Sequence, residues 1–316
     1  MPLLQTQHPP ISPADSDYSS VLNSGGTEES GFLLDHLSLI SVTGSDAEKF
    51  LQNQFSNDVS EISGTQAQLN AYCNPKGRAL AMLCLMKRPD DGYWMIVPND
   101  LTDGLIKRLR IYVMRAKVTI SLEEEHAMLG LLGDRAEMTD INTYKFSGHI
   151  SRSIAIGNPK RLFGEMNMLG SVLNSDYWRL SDILSGLPQV YSQTVEQCIP
   201  QHINMDIVSG INFSKGCYPG QEIIARLRYL GKSKYRLCAA SVVSEDPIEP
   251  GQALFEKGHA SQKAGLVVDA VETGKREYLI SAMLKFSAGK HPATCLGSGD
   301  APVLCLRNLP YEVPVE

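Results

Sequence analysis

The densest chemistry in the chain lies in residues 210–222, which read Gly-Ile-Asn-Phe-Ser-Lys-Gly-Cys-Tyr-Pro-Gly-Gln-Glu. Gly216, Pro219 and Gly220 impose an unusual backbone path, because glycine reaches conformations closed to other residues and proline fixes its own φ. Cys217 sits among polar and turn residues. Most other cysteines sit in apolar runs such as Met82-Leu83-Cys84-Leu85. Pro219-Gly220 leads into a predicted helix over residues 221–228, which brings Cys217 near the N-terminal amides. Those amides and Lys215 both favour a thiolate, and such surroundings lower a free cysteine's pKa of about 8.5 by one to several units. Glu222, in the first turn, suits the same helix dipole.

Basic residues then cluster. Lys215, Arg226, Arg228, Lys232, Lys234 and Arg236 face one acid, Glu222, in a chain of net charge −6. This local reversal suits an anion such as a carboxylated cofactor tail. It equally describes a solvated basic helix face followed by a strand edge. Arg226 and Arg228, two apart on a helix, point to different faces, so at most one serves a pocket. The overall negative charge does not support direct nucleic-acid binding.

The seven cysteines are odd in number and show no CxxC spacing. Neither a disulfide framework nor a zinc knuckle is expected, and the cysteines other than Cys217 read as inert core residues. The seven histidines lack HxxxH or HExxH spacing, so no protein-ligated metal is expected.

These residues need a scaffold, and hydrophobic periodicity outlines it. Residues 37–42 form a strand. Ser45-Asp46-Ala47-Glu48 reads as a capping box before a helix with Phe50 and Leu51, and Asn57-Asp58 turns the chain. Residues 68–73 and 78–87 form two strands joined by Asn74-Pro75-Lys76-Gly77, and 93–97 forms a third. A helix over 101–114 carries Leu105, Leu109 and Tyr112 on one stripe, and a strand over 118–122 closes the unit. A second unit has a strand over 128–132, two more strands before 165, and a helix over 176–185 ended by Gly186 and Pro188. Beyond about 233, short strands broken by Pro250-Gly251 and Thr273-Gly274 predict a small antiparallel barrel.

The class is α+β, helices against antiparallel sheets. The expected divisions are a flexible tail (1–30), a first α+β module (31–126), a second unit bearing the cysteine loop (127–232) and the barrel (233–316). The tail is rich in Pro and Ser and carries no Lys or Arg, which predicts neither a secretory n-region nor an Arg-rich transit peptide. No apolar run reaches the roughly 18 residues a membrane span needs, so the expected location is the cytoplasm, with no membrane partner.

Residues 215–222 resemble the signature of the YgfZ family of bacterial tRNA-modifying proteins and their mitochondrial relatives. Phe213 and Ala225-Arg226 fit the same pattern. Ile199-Pro200-Gln201 with Asn204 resembles the segment before the signature. Phe50-Leu51-Gln52 with Asn57-Asp58-Val59 resembles the first-helix motif, and Asn74-x-Lys76-Gly77-Arg78 the hairpin turn. The likeness spans roughly residues 32–310. The wider family includes the glycine-cleavage T-protein, a tetrahydrofolate-dependent aminomethyltransferase, whose helix and following turn Arg179-Leu180 and Gly186-Leu187-Pro188 resemble.

The resemblance implies a T-protein-like cloverleaf of three modules around a central folate pocket. It implies tetrahydrofolate or a one-carbon derivative as bound ligand. The chemistry falls to Cys217 with Lys215. Gln201, Asn204, Tyr218, Gln221, Glu222, Arg226 and Asp58 are the candidates for the cofactor. An amide such as Gln201 offers donors and an acceptor to a pterin edge. Tyr218 either stacks on a pterin or packs, and Asn57-Asp58 either lines the pocket or makes the turn. The implied partners are iron–sulfur enzymes such as the radical enzymes that thiomethylate tRNA.

Aminomethyltransferases carry an Asp after the hairpin turn, near the reactive folate nitrogen. Here Ala81 and Met82 stand there, and neither moves a proton. A Glu expected near Pro200 is replaced by Gln201 and His202. Aminomethyl transfer is therefore the alternative. The preferred reading is a folate-binding protein, not a conventional enzyme, that supports iron–sulfur cluster assembly or repair and thereby tRNA thiomethylation. Cys217 then acts as a nucleophile or as a transient ligand to a cluster in delivery, since soft thiolate suits iron. In a third reading it only packs and the motif shapes a loop.

Overall fold

The computed structural model describes residues 12, 13, 22, 30–133, 141–146, 148–169, 171–287, 289–297 and 301–314. Apart from isolated positions, the tail expected over 1–30 lies outside them.

Strand β1 (Ser30–Phe32) opens the continuous chain but does not pair with its immediate successors. Those are β2 (Leu37–Thr43), helix α1 (Ala47–Gln52), β3 (Gln68–Cys73), β4 (Ala79–Lys87), β5 (Tyr93–Pro98), α2 (Thr102–Val113) and β6 (Thr119–Leu122). They form one antiparallel sheet in the order β3-β4-β5-β2-β6. Leu105, Ile106 and Leu109 of α2 bury in its core. Tyr112, expected on that stripe, lies in the last turn and stays 46% exposed.

The capping box expected before α1 does not form. Asp46 precedes the helix without a side-chain cap. Its carboxylate accepts instead from the Lys117 amide at 2.7 Å, and Glu48 accepts from the Tyr93 hydroxyl at 2.7 Å. Tertiary partners displace the local ones.

The second sheet contains β7 (Ala127–Leu132), β8 (Asn142–Phe146), β9 (Arg152–Gly157) and β10 (Ser171–Leu173) in the order β10-β1-β7-β9-β8, with β1 parallel to β10. Helix α3 (Pro159–Asn167) starts on an Asn158 cap with proline at its first position. Period-two alternation splits β7: Ala127, Leu129 and Leu131 bury with Leu162 and Met166 of α3. Met128 and Leu132 bury with α4 (Ser175–Ser185) and with Trp94 and Ile96 of the first sheet. Gly130 permits the approach of α4, since a Cβ there would lie 3.0 Å from Trp178 Cε3. Helix α4 ends at Gly186, φ 65°, where the amides of Gly186 and Leu187 return to the carbonyls of Ile183 and Asp182.

Helix α5 (Gln221–Leu230) follows the cysteine loop. The last sheet holds β11 (Tyr235–Val243), β12 (Ala253–Glu256), β13 (His259–Gly274), β14 (Glu277–Lys285), β15 (Thr294–Cys295) and β16 (Cys305–Arg307). Its antiparallel order is β15-β12-β13-β14-β11-β16. The sheet curls. The Leu304 amide bonds the Thr294 carbonyl at 2.9 Å, while residues 305–307 pair with β11. One short stretch thus joins both edges into the barrel, around Ala240, Leu254, Val267 and Leu284.

Candidate functional site

Helix α1 ends at Gln52, and the chain after it turns several carbonyls toward one point. Lys215 fills that point. Its Nζ donates to the carbonyls of Gln52 at 2.7 Å, Phe55 at 2.6 Å and Asn57 at 2.6 Å. An ammonium has three donors, and all are used. Lys215 is only 7% exposed. Burial depresses its pKa to about 8, opposed by the nearby Asp58 carboxylate, so the proton is held at neutral pH. Further bonds sew the loop to the same segment. Ser56 Oγ donates to the Gly210 carbonyl at 2.6 Å, and Asn57 Nδ2 to the Ser209 carbonyl at 2.7 Å.

Tyr218 is the second anchor. It is buried, its ring centroid 5.4 Å from Lys215 Nζ, and burial pushes its phenol pKa up. Beyond it the tip of the β3–β4 turn docks on the loop. Gly220 has φ 83° and Gly77 φ 71°. A Cβ on Gly220 would lie 2.6 Å from the Asn74 carbonyl oxygen, and one on Gly77 would lie 2.9 Å from Ile223 Cβ. Asn74 Oδ1 builds that turn by accepting from the amides of Lys76 and Arg78. Gln221 Nε2 closes the loop on the Lys215 carbonyl at 3.2 Å.

Between these anchors Gly216 and Cys217 are exposed, with no atom near the position of a Gly216 Cβ. The thiol thus stands on a fixed crest. Cys73, Cys84, Cys198 and Cys238 are buried, and burial raises their thiol pKa values, those of Cys198 and Cys238 to about 12. Cys295 is buried, whereas Cys305, expected in the core, is exposed on β16. The Lys215 charge expected to act on Cys217 is turned to the carbonyls of residues 52–57.

The other candidates divide. Gln201 is buried and donates Nε2 to the Ile224 carbonyl at 2.6 Å. Asn204, φ 62°, pairs with both backbone groups of Leu237, at 3.0 and 3.2 Å, like an added strand residue. Asp58 caps the turn Val59–Glu61, its pKa lowered chiefly by the Ser60 hydroxyl. Glu222 is exposed in the first turn of α5. Arg226 lines a groove, while Arg228 lies 5.4 Å from the Phe213 ring. Arg236 is buried against Asp206 at 2.9 Å, and burial raises that carboxyl's pKa.

A separate cavity lies at the meeting of the first two sheets. Leu69, Leu83 and Ile96 supply apolar walls, Phe146 and Trp178 aromatic ones, and His36, Asp182, Gln189 and Tyr191 polar groups. Its open volume is about 30 Å³. Asp182 pairs with Arg152, and burial raises its carboxyl pKa. Tyr191 donates to Asp269 at 2.8 Å, and Arg179 pairs with the same carboxylate. His36 Nδ1 is buried with no partner, and burial lowers the ring's pKa to about 3. None of the cofactor residues expected from the sequence lines this cavity. Its own lining is scattered from position 36 to 191, and of it Leu187 and Pro188 fall in the turn after α4 that the sequence already marked. Among the described residues no cluster of three His, Cys, Asp or Glu could hold a metal ion, and no helix is long and apolar enough to cross a membrane.

Comparison with known proteins bears on this arrangement. The GCVT N-terminal domain matches residues 28–140. The tRNA-modifying protein YgfZ of Klebsiella pneumoniae is 30% identical over 274 residues, covering 79% of this chain and 84% of the relative. The chain belongs to the YgfZ family. The YgfZ protein of Colwellia psychrerythraea is 27% identical over 304 residues, covering 90% of this chain and 93% of its own. The YgfZ fold here is T-protein-like. Aminomethyltransferase T from Bartonella henselae aligns with TM-score 0.68 at 14% identity, covering 90% of this chain and 86% of that one. The α+β architecture expected from the sequence is the one observed.

Proposed function

We propose that this chain is a folate-binding protein that supports iron–sulfur cluster assembly or repair in enzymes modifying tRNA, with Cys217 as its working thiol. The observation that carries the reading is the crest itself. Cys217 is exposed between two buried anchors, Lys215 and Tyr218, whose contacts hold the loop against a different module. A cysteine kept for packing would be buried, as Cys73 and Cys84 are. An exposed thiol on a fixed loop suits a macromolecular partner. A cluster in transit is cargo, and one thiolate shares it with thiolates of that partner.

Folate belongs to the cavity, not to the crest. Aromatic walls, a carboxylate, a phenol and an amide are the chemistry a pterin needs. The open volume of about 30 Å³ is that of one water, so the walls must part to admit the ring. Trp178 and Phe146 would flank it, and Asp182 or Gln189 would meet its polar edge. Tetrahydrofolate would supply a one-carbon carrier there. Ala81 and Met82 are buried on β4 and put no carboxylate beside it, which argues against aminomethyl transfer.

Calorimetry with tetrahydrofolate tests the ligand. Binding that Asp182→Asn weakens, without glycine-cleavage turnover in the presence of the partner proteins, supports the reading. Turnover would restore the aminomethyltransferase.

A further inference from the structure

A second surface feature lies along α5, away from the central cavity. Two cavities of about 280 and 240 Å³ lie on either side of His202, which lines both. Arg226, Lys232 and Lys234 line the first, Arg78 and Lys263 the second, and neither lining contains a carboxylate. All five cations are exposed. Among the described residues none of them forms an ion pair; Arg78 only donates to the Gln197 carbonyl. In a chain of net charge −6 this concentration is not an average of the surface.

Ile199, Ile223, Leu227 and Leu230 give the first cavity apolar walls, and flat groups stand where the two linings overlap. The His202 and Tyr235 rings lie 5.3 Å apart, tilted by 46°, and both are half-buried. Burial lowers the His202 pKa to about 4, so at neutral pH the ring is an uncharged platform. Cations spaced along a groove with aromatic rings between them suit a strand that alternates phosphates and bases. An acidic peptide would use the cations but not the rings. A duplex is too wide for cavities of this size.

We propose that this groove binds single-stranded RNA, with phosphates on Arg78, Arg226, Lys232, Lys234 and Lys263 and a base against the His202–Tyr235 pair. The site is independent of the thiol and of the folate cavity, so it stands or falls apart from the preceding reading. It revises the expectation from net charge, because a local field decides contact where the bulk charge does not.

The test is fluorescence anisotropy of the full chain with a short labelled single-stranded oligoribonucleotide, titrated across salt. Lys232→Glu with Lys234→Glu, and separately Lys263→Glu, should weaken binding at least tenfold. Each lost phosphate contact should flatten the log-affinity against log-salt slope by about 0.7. Tyr235→Leu should weaken binding and leave the slope unchanged. Circular dichroism checks that each variant is folded. Absence of wild-type binding at low salt, or charge variants that bind as wild type does, would overturn the proposal. So would a polyglutamate peptide that competes as well as RNA, which would make an acidic protein the occupant.

Discussion

Lys215 Nζ donates to the Asn57 carbonyl at 2.6 Å across 158 positions of sequence. With the Gln52 and Phe55 carbonyls it forms a clasp between the cysteine loop and the end of α1. Lys215→Met keeps the stem and removes the donors. Buried carbonyls then lose charged partners, each worth about 1.5–3 kcal/mol. The expected loss of stability is roughly 3 kcal/mol in urea unfolding. A change below about 0.5 kcal/mol, the range of ordinary surface substitutions, would show that the clasp holds nothing.

Gly77 and Gly220 meet at left-handed backbone positions, where the close approach leaves no room for a side chain. Gly220→Ala meets the Asn74 carbonyl, and neither backbone can give way cheaply. The expected cost is about 2–4 kcal/mol, combining backbone strain with overpacking. Hydrogen exchange should rise together in the β3–β4 turn and the first turn of α5. Exchange unchanged in the β3–β4 turn would separate the two elements.

The cysteines should sort by exposure. Native alkylation followed by mass mapping should label Cys217 and Cys305 and spare Cys73, Cys84, Cys198, Cys238 and Cys295 until the chain unfolds. Cys217→Ala should leave stability within about 0.5 kcal/mol. Labelling of Cys217 only on unfolding would remove the crest.

Buried histidines make stability depend on acid, His36 and His202 most strongly. Burial lowers His36 to about 3 and His202 to about 4, and both titrate near 6.5 when unfolded. Between those values the unfolded chain binds more protons. Their stabilisation is therefore complete above about pH 6.5 and is lost as pH falls toward 4. His36 alone should account for about 2 kcal/mol between pH 6.5 and 5. The raised carboxyls of Asp182 and Asp206 act in the opposite sense. His36→Gln and His202→Gln isolate the histidine part: both should show a smaller drop in urea midpoint from pH 7 to 5. An equal drop would contradict it.

The cysteine loop was legible because its chemistry is local: glycines, proline, lysine and cysteine lie within a few positions. The α+β class followed from periodicity, and helix α4 stopped at Gly186 as its glycine implied. Where Lys215 goes was not legible. Its acceptors are backbone carbonyls, which no residue type announces. Gln201 and Asn204 are cofactor candidates by type, and residue type does not announce that their amide donors go to the carbonyls of Ile224 and Leu237. Strand β1 pairs with β7 and β10, far along the chain, and nothing in three residues records that. The cavity is hidden for the same reason, apart from Leu187 and Pro188 in the turn after α4.

The central claim concerns Cys217, and tRNA thiomethylation in a strain lacking its own YgfZ protein tests it most directly. Cys217→Ala, expressed and folded to the level of the unaltered chain, should leave thiomethylated nucleosides as low as in the deletion strain, while the unaltered chain restores them. Full restoration by Cys217→Ala would contradict a working role for the thiol.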